Sequence, residues 1–257
     1  MARVQVTVDQ GVAQVTLNRP DKINAVDQAM IDGVLAAAQD LAARDDLRVV
    51  VIHGAGRGFC SGLDVVSFAA LAAGDPVALI HPRSHGDANA FQAWSLAWRD
   101  LPVPVIAALH GPCFGAGLQL TLGADIRIAA PDTRLAVMEM KWGLIPDMGG
   151  MVTLPGLVRD DWLRRLTYTA RPVDAQTGRD IGLVTELADD PLSAALELAH
   201  EIAAKSPSAI RAAKRLAGQA RHLPRAEMLM AESREQAALI GQPDQMAAIA
   251  ANLSSKP

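Results

Sequence analysis

Two glycine-rich segments carry the first chemistry that can be read from this sequence. The earlier one, Gly54-Ala55-Gly56-Arg57-Gly58-Phe59-Cys60-Ser61-Gly62-Leu63-Asp64, follows the apolar run Val49-Val50-Val51-Ile52. The later one, His110-Gly111-Pro112-Cys113-Phe114-Gly115-Ala116-Gly117-Leu118-Gln119, follows a second apolar run over residues 103–109. Glycine at a strand end lets backbone approach a ligand closely, and free N–H groups at a helix start can hold an anion or a developing oxyanion. Either turn alone reads as tight packing. Together they could present N–H groups to one cleft.

Competing chemistries fit these segments poorly. A dinucleotide fingerprint needs glycine at the first, third and sixth positions, and the sixth position of the first turn is Phe59. Ser61 lacks the flanking glycines of a nucleophile elbow, which Phe59 and Leu63 replace. His81 and His85 stand four apart near Asp87, but Pro82 and Gly86 interrupt any shared helical face, so no metal site is expected. Cys60 and Cys113 sit where turns need small side chains, which favours packing over nucleophilic catalysis. His110 reads as a packed or hydrogen-bonded histidine.

Two carboxylates stand out. Glu139 lies in the apolar context Leu135-Ala136-Val137-Met138-Glu139-Met140, and Asp147 lies among Pro146, Met148 and two glycines. A carboxylate in apolar surroundings is costly unless it is paired or used. A helix cap or a buried salt bridge is the alternative to a catalytic role at each position.

The elements that must position these groups follow from periodicity. Residues 4–8 and 12–17 alternate around Asp9-Gln10-Gly11 and predict a hairpin. Residues 26–44 carry Met30, Ile31, Val34, Leu35, Ala38 and Leu41 at helical spacing. Residues 49–52 predict a strand buried on both faces. The pattern repeats as a helix over 88–99, a strand over 103–109, a helix over 118–123 and a strand over 126–129, which predicts an α/β fold. Residues 191–205, 207–220 and 224–240 predict three helices, each opened by a proline, and 242–252 a fourth. The expected division is a core over 1–190 and a helical region over 191–257. Met228, Leu229, Leu239 and Ile240 give the latter an apolar face to bury.

Composition narrows the functional classes. The chain has 257 residues, half of them hydrophobic, and a formal net charge of -4. That balance opposes a nucleic-acid surface, and no apolar run reaches the ~18 residues a membrane span needs. Two cysteines suit a reducing compartment, and the N-terminus enters a strand directly, so a cytoplasmic location is expected.

Five motifs in order and register resemble the crotonase (enoyl-CoA hydratase/isomerase) family. They are Asn18-Arg19-Pro20-Asp21-Lys22-Ile23-Asn24-Ala25; the segment 59–64; Gly115-Ala116-Gly117; Ala124-Asp125-Ile126-Arg127-Ile128-Ala129; and Lys141-Trp142-Gly143-Leu144-Ile145-Pro146-Asp147-Met148-Gly149-Gly150. The resemblance implies a spiral of ββα units with a C-terminal helical oligomerisation region. It further implies trimers, often paired into hexamers. The ligand it implies is an acyl-CoA thioester, with CoA part of the substrate and no separate cofactor. The N–H groups of Leu63 and Ala116 would bind the thioester oxygen, and CoA would lie along Lys22, Ile23, Ala25, Ser61 and Asp64. Arg19, Lys22 and Arg57 are candidate phosphate partners, and residues 67–91 are expected to line the acyl pocket.

The reaction turns on Gln119, Glu139 and Asp147. Hydratases of this family use two glutamates to hold and activate water. Glu139 matches the second, and Gln119 stands in place of the first. The pair of Glu139 and Asp147 resembles the dienoyl-CoA isomerases, which usually carry a third carboxylate where this chain has Gln119. An amide can hold water but cannot take its proton. Isomerisation of an enoyl- or dienoyl-CoA double bond is therefore the expectation, with hydration of a 2-enoyl-CoA as the alternative. A noncatalytic acyl-CoA-binding protein would keep both turns but need no buried carboxylates.

Overall fold

The computed structural model describes residues 2–64, 66 and 74–254. Its strands are β1 (Val4–Asp9), β2 (Val12–Leu17), β3 (Val49–Gly54), β4 (Val105–Leu109), β5 (Pro112–Phe114), β6 (Ile126–Ala129), β7 (Arg134–Ala136), β8 (Val173–Asp174) and β9 (Glu186–Leu187). Six of them form one sheet in the order β1-β2-β3-β4-β6-β9, and the other three form a sheet in the order β5-β7-β8. β1 and β2 make the expected hairpin, with Asp9 opposite Val12. Its two turn residues, Gln10 and Gly11, take φ of 47° and 79°, the left-handed pair that lets a two-residue turn follow the twist of its strands. Beyond β2 every neighbour in the large sheet is parallel.

The apolar run Val49-Val50-Val51-Ile52 of β3 is explained by two separate cores. Val50 and Ile52 join Val105, Ala107 and Leu109 in the larger core, with Met30 and Val34 of the helix Gln28–Ala42 and Trp94 and Trp98 of the helix Ala90–Arg99. Val49 and Val51 face the other way, with Ile106, Ala108 and Ile128, beneath Ala195 and Ala199 of the helix Pro191–Ala203. Side chains alternate across a strand, so a strand covered on both faces must be apolar at every position. By its packing, Pro191–Ala203 belongs to the sheet rather than to an appendage.

The helices start where their caps dictate. Asp27 accepts from the Met30 N–H to open the first, and Asn89 with Gln92 forms a capping box at the start of Ala90–Arg99. The three last helices, Pro207–Gln219, Arg225–Leu239 and Pro243–Ser254, bury few residues. Leu229, Met230, Ile240, Met246 and Ile249 are exposed on them, while Met228 and Leu239 are half-buried. Among the described residues no helix is long and apolar enough to cross a membrane.

The sequence pattern does not foresee the small sheet. Its strands are only two or three residues long, and β5 lies inside the second glycine turn, where it has no periodicity to show. The helices Asp160–Thr169 and Ala175–Ile181 are also absent from the sequence expectation.

Candidate active site

Adjacent parallel strands bring the two glycine turns together. β3 and β4 pair from Val50 with Val105 to His53 with Ala108, so both chains leave the sheet at the same edge. The first turn then runs beside β5: Cys60 bridges Cys113, the Cys60 N–H donates to Pro112 O at 2.9 Å, and the Phe114 N–H donates to Cys60 O at 2.9 Å. On its other side β5 pairs with β7, Phe114 opposite Ala136. β5 thus delivers Ala116 two residues past its end, and β7 delivers Glu139 three residues past its own. The small sheet that the sequence hides is what brings Ala116, the expected oxyanion donor, and Glu139 to the ends of neighbouring strands.

The backbone at both expected oxyanion positions is available. Gly62 has φ of 96°, and a Cβ on it would lie 3.1 Å from Phe114 O, so only glycine allows the turns to touch this closely. Gly115 has φ of 51° and ψ of -120° and precedes the helix Ala116–Leu122. Gly62 O accepts the Val26 N–H at 2.9 Å, yet among the described residues no acceptor takes the Leu63 N–H or the Ala116 N–H. Trp94 secures the helix start from behind by donating its Nε1–H to Ala116 O at 2.8 Å.

The ridge formed by residues 19–25 is tied to the first turn. Ile23 and Asn24 take φ of 49° and 52°. Asn24 is fully buried, accepts the Arg19 N–H at 2.8 Å and donates its Nδ2–H groups to Ala55 O, Gly58 O and Phe59 O. The Ser61 N–H donates to Ile23 O at 2.9 Å and its Oγ–H to Lys22 O at 3.1 Å. Val26 then pairs with Leu63, and the Asp64 N–H donates to Val26 O. Lys22, Ile23, Ala25, Ser61 and Asp64 therefore share one ridge. Arg19 is a different case from the expectation. Its Nη1 donates to Asp64 Oδ2 at 2.6 Å and lies 3.4 Å from Asp27 Oδ2, so it braces the ridge instead of offering a free charge. The Asp64 carboxylate also accepts from the Val66 N–H, and that bond together with Arg19 holds its pKa below the usual range. Lys22 and Arg57 are exposed, with no ion pair among the described residues.

On the opposite side stand the side chains that could move protons. Glu139 opens a 3-10 turn, Glu139–Trp142. Its Oε1 accepts from Gln119 Nε2 at 2.6 Å. Its Oε2 is buried and has no hydrogen-bond partner among the described residues. Burial pushes its pKa up, and the nearby Asp147 charge adds to the rise. Asp147 lies at the exposed rim, where crowding by the loop still desolvates its carboxylate and raises its pKa. It lines a cleft of about 220 Å³ with Arg83, Asp87 and Gln92.

Gln119 is buried and fully engaged. Its Oε1 accepts two backbone donors, the Met148 N–H at 2.8 Å and the Gly150 N–H at 3.0 Å. A Cβ on Gly150 would come within 2.7 Å of that oxygen, so any side chain there would have to displace the Gln119 amide. Ser95 holds the same loop by donating its Oγ–H to Met148 O at 2.8 Å. The expectation that Gln119 could hold a water meets this geometry: both lone pairs of its amide oxygen are already used.

Other sequence candidates are placed plainly. Cys60 and Cys113 are buried and free, and burial pushes the Cys60 thiol up to about 12, which opposes a nucleophilic thiolate at neutral pH. His110 hydrogen-bonds Gly56 O at 2.9 Å through Nε2 and steadies the first turn. His81 and His85 are exposed, and no cluster of three His, Cys, Asp or Glu side chains able to hold a metal occurs among the described residues. Of residues 67–91, expected to line the acyl pocket, 67–73 lie outside the described residues. Asn24 and Ser95 were missed as functional supports. Asn tolerates the left-handed backbone that position 24 needs, and Ser95 is a lone small polar residue on an apolar helix face; those are the signals that could have found them.

Residues 7–251 match the family described as Enoyl-CoA hydratase/isomerase. The chain belongs to that family. It is 36% identical over 219 residues to the mitochondrial Delta(3,5)-Delta(2,4)-dienoyl-CoA isomerase of Rattus norvegicus, covering 82% of this chain and 67% of the relative. It is 37% identical over 211 residues to the Mycobacterium tuberculosis protein named "Probable enoyl-CoA hydratase EchA14", covering 82% of this chain and 79% of that one. A crystal structure of an enoyl-CoA hydratase from Bacillus anthracis superposes with a TM-score of 0.87 at 27% identity, covering 99% of this chain and 97% of the other. The fold of this enoyl-CoA hydratase/isomerase family member is the crotonase-type α/β fold that the motifs implied.

Proposed function

We propose that this enoyl-CoA hydratase/isomerase family member shifts a double bond in an enoyl- or dienoyl-CoA thioester, with Glu139 and Asp147 carrying the proton. The observation that carries the reading is the buried Glu139 Oε2, which has no partner among the described residues and lies near Asp147. A carboxylate oxygen left unsatisfied inside a protein costs stability and persists most readily where it is used. The N–H groups of Leu63 and Ala116 would take the thioester oxygen. Proton loss beside the thioester moves its electron pair toward that oxygen, giving an enolate that fixed donors stabilise with little reorganisation. One carboxylate accepts that proton and the other delivers one at the far end of the conjugated system. Raised pKa values let each carboxyl carry a proton nearer to neutrality than a solvated one does.

Hydration is the second reading, supported by the M. tuberculosis relative's name. Against it stands Gln119, whose amide oxygen is occupied by Met148 and Gly150 and cannot accept a proton from water. A purely acyl-CoA-binding role leaves the cost of the bare Glu139 Oε2 unexplained. Product analysis with a panel of enoyl- and dienoyl-CoA thioesters decides among the three. Isomerisation is expected, with Glu139→Gln and Asp147→Asn each cutting turnover by at least ~10²-fold. Efficient hydration of crotonyl-CoA without double-bond migration in any substrate would select the other branch.

CoA is proposed to lie along Lys22, Ile23, Ala25, Ser61 and Asp64, with Lys22 and Arg57 meeting phosphates and no separate cofactor. Assembly into trimers or hexamers, which the family resemblance implies, would cover the exposed Leu229, Met230 and Ile240. A monodisperse 27.1 kDa particle in light scattering would exclude it.

A further inference from the structure

We infer that Gln119 is a positioning residue that fixes which oxygen of Glu139 can carry a proton and ties the other oxygen to the Asp147 loop. The inference rests on the acid–base role proposed above for Glu139, but its hydrogen-bond argument does not depend on which reaction is catalysed. The orientation of the Gln119 amide is set by its neighbours. Two backbone N–H groups, of Met148 and Gly150, converge on one end of it at 2.8 and 3.0 Å. Only the carbonyl oxygen can face two donors, so the NH₂ group must face Glu139. Glu139 Oε1, 2.6 Å away, is therefore an acceptor. A proton on Oε1 would leave that oxygen the poorer acceptor for the amide hydrogens. The proton, when Glu139 holds one, sits on Oε2, the oxygen without a partner among the described residues.

The same side chain joins two parts of the site. Gln119 projects from the helix that starts at Ala116, so its backbone element carries an oxyanion donor. Through Nε2 it holds Glu139, and through Oε1 it holds the segment immediately after Asp147. One buried amide thus sets the mutual position of donor, base and second carboxylate.

The charges around Glu139 leave the titration to few groups. The helix Ala116–Leu122 and the segment Gly150–Thr153 contribute no titratable side chain. Asp147 raises the Glu139 pKa, whereas the Gln119 hydrogen bond lowers it. On the helix Asp160–Thr169, which packs on the 3-10 turn, Asp160 pairs with Arg164, Asp161 pairs with the preceding Arg159, and Arg165 lies over the Trp162 ring. Lys141, two residues after Glu139 in the chain, is exposed.

The test is the Glu139 titration, read in the full-length protein without substrate by carbon-13 NMR of carboxyl-labelled glutamate and assigned with Glu139→Gln. In Gln119→Glu, one carboxylate oxygen can still accept from Met148 and Gly150, but the other meets Glu139 Oε1. Two carboxylates this close share a proton, so the apparent Glu139 titration should move up by about one pH unit or more. Gln119→Met removes the donor with no new charge and should move it up by less. The acid limb of the pH–rate profile should move the same way in both variants. Loss of kcat in Gln119→Met, with KM within a few-fold, would match a role exerted through Glu139. An unmoved Glu139 titration in either folded variant would overturn the inference. A moved titration in a protein that isomerises no substrate would keep the Gln119 role and remove the isomerase reading.

Discussion

The two sides of the site are built from different materials. The proposed oxyanion side consists of backbone: the Leu63 and Ala116 N–H groups, held by glycine turns and by the buried hub of Asn24. The carboxylate side consists of side chains on a short turn and loop, with Asp147, Trp142, Leu144 and Ile145 exposed and Glu139 held by one amide. Backbone donors can stabilise negative oxygen and little else, so on the proposed reading that side would serve any reaction that passes through a thioester enolate. Side chains set which proton moves and where. The difference explains why the family is plain from this chain while the reaction has to be argued from Gln119, Glu139 and Asp147.

The largest expected effect breaks the backbone side alone. Ala116→Pro removes one N–H at the first position of its helix, where proline is tolerated, so the fold should survive. Turnover should fall by about 10²–10³-fold, the cost of one oxyanion donor, while binding of an acyl-CoA thioester changes far less. Calorimetric titration beside steady-state kinetics checks the split. Equal losses in both would show that the N–H helps hold the ground state and does not serve the enolate selectively.

A smaller effect is expected from the hub. Asn24→Asp keeps the shape but turns the groups that face Ala55 O, Gly58 O and Phe59 O from donor to acceptor. Leaving buried carbonyls against a carboxylate should destabilise the fold by roughly 2–3 kcal/mol, measured by denaturant unfolding. A variant as stable as the wild type would mean that the turns hold themselves and Asn24 merely fills space.

How far the sequence could be read follows from the same contrast. The hairpin, the doubly buried β3 and the helix Gln28–Ala42 were legible because their periodicities are long enough to be unambiguous. The turns were legible because glycine is a backbone requirement written in residue type. β5, β7 and β8 were not, since a strand of two or three residues has no period and depends on its partners. Arg19 was misjudged because an arginine looks the same whether solvated or paired with Asp64. For Gln119, the sequence showed an amide in place of a carboxylate, but not that Met148 and Gly150 occupy its oxygen. That depends on a contact 29 and 31 residues away along the chain.

The smallest expected effect concerns the stability cost of the carboxylate side. Glu139 has its pKa raised above the ordinary glutamate value of 4.5, chiefly by desolvation. Between the unfolded and folded pKa values the native protein binds more protons than the unfolded chain, so stability falls as pH rises through that window. Ionised Glu139 therefore works against the fold at neutral pH. Glu139→Gln cannot ionise, and its carbonyl can still accept from Gln119, so this variant should melt at a higher temperature than the wild type near pH 8. The advantage should shrink on acidification and vanish below pH 4.5, where glutamate is protonated in both states. Asn24→Asp should show no such gain at neutral pH, since it adds a charge where Glu139→Gln removes one. Melting curves for the wild type and Glu139→Gln between about pH 4 and pH 8 read this directly. Parallel curves, with no pH-dependent gap, would mean that Glu139 is solvated well enough to ionise freely, and the proton-carrying role argued from its burial would lose its physical basis.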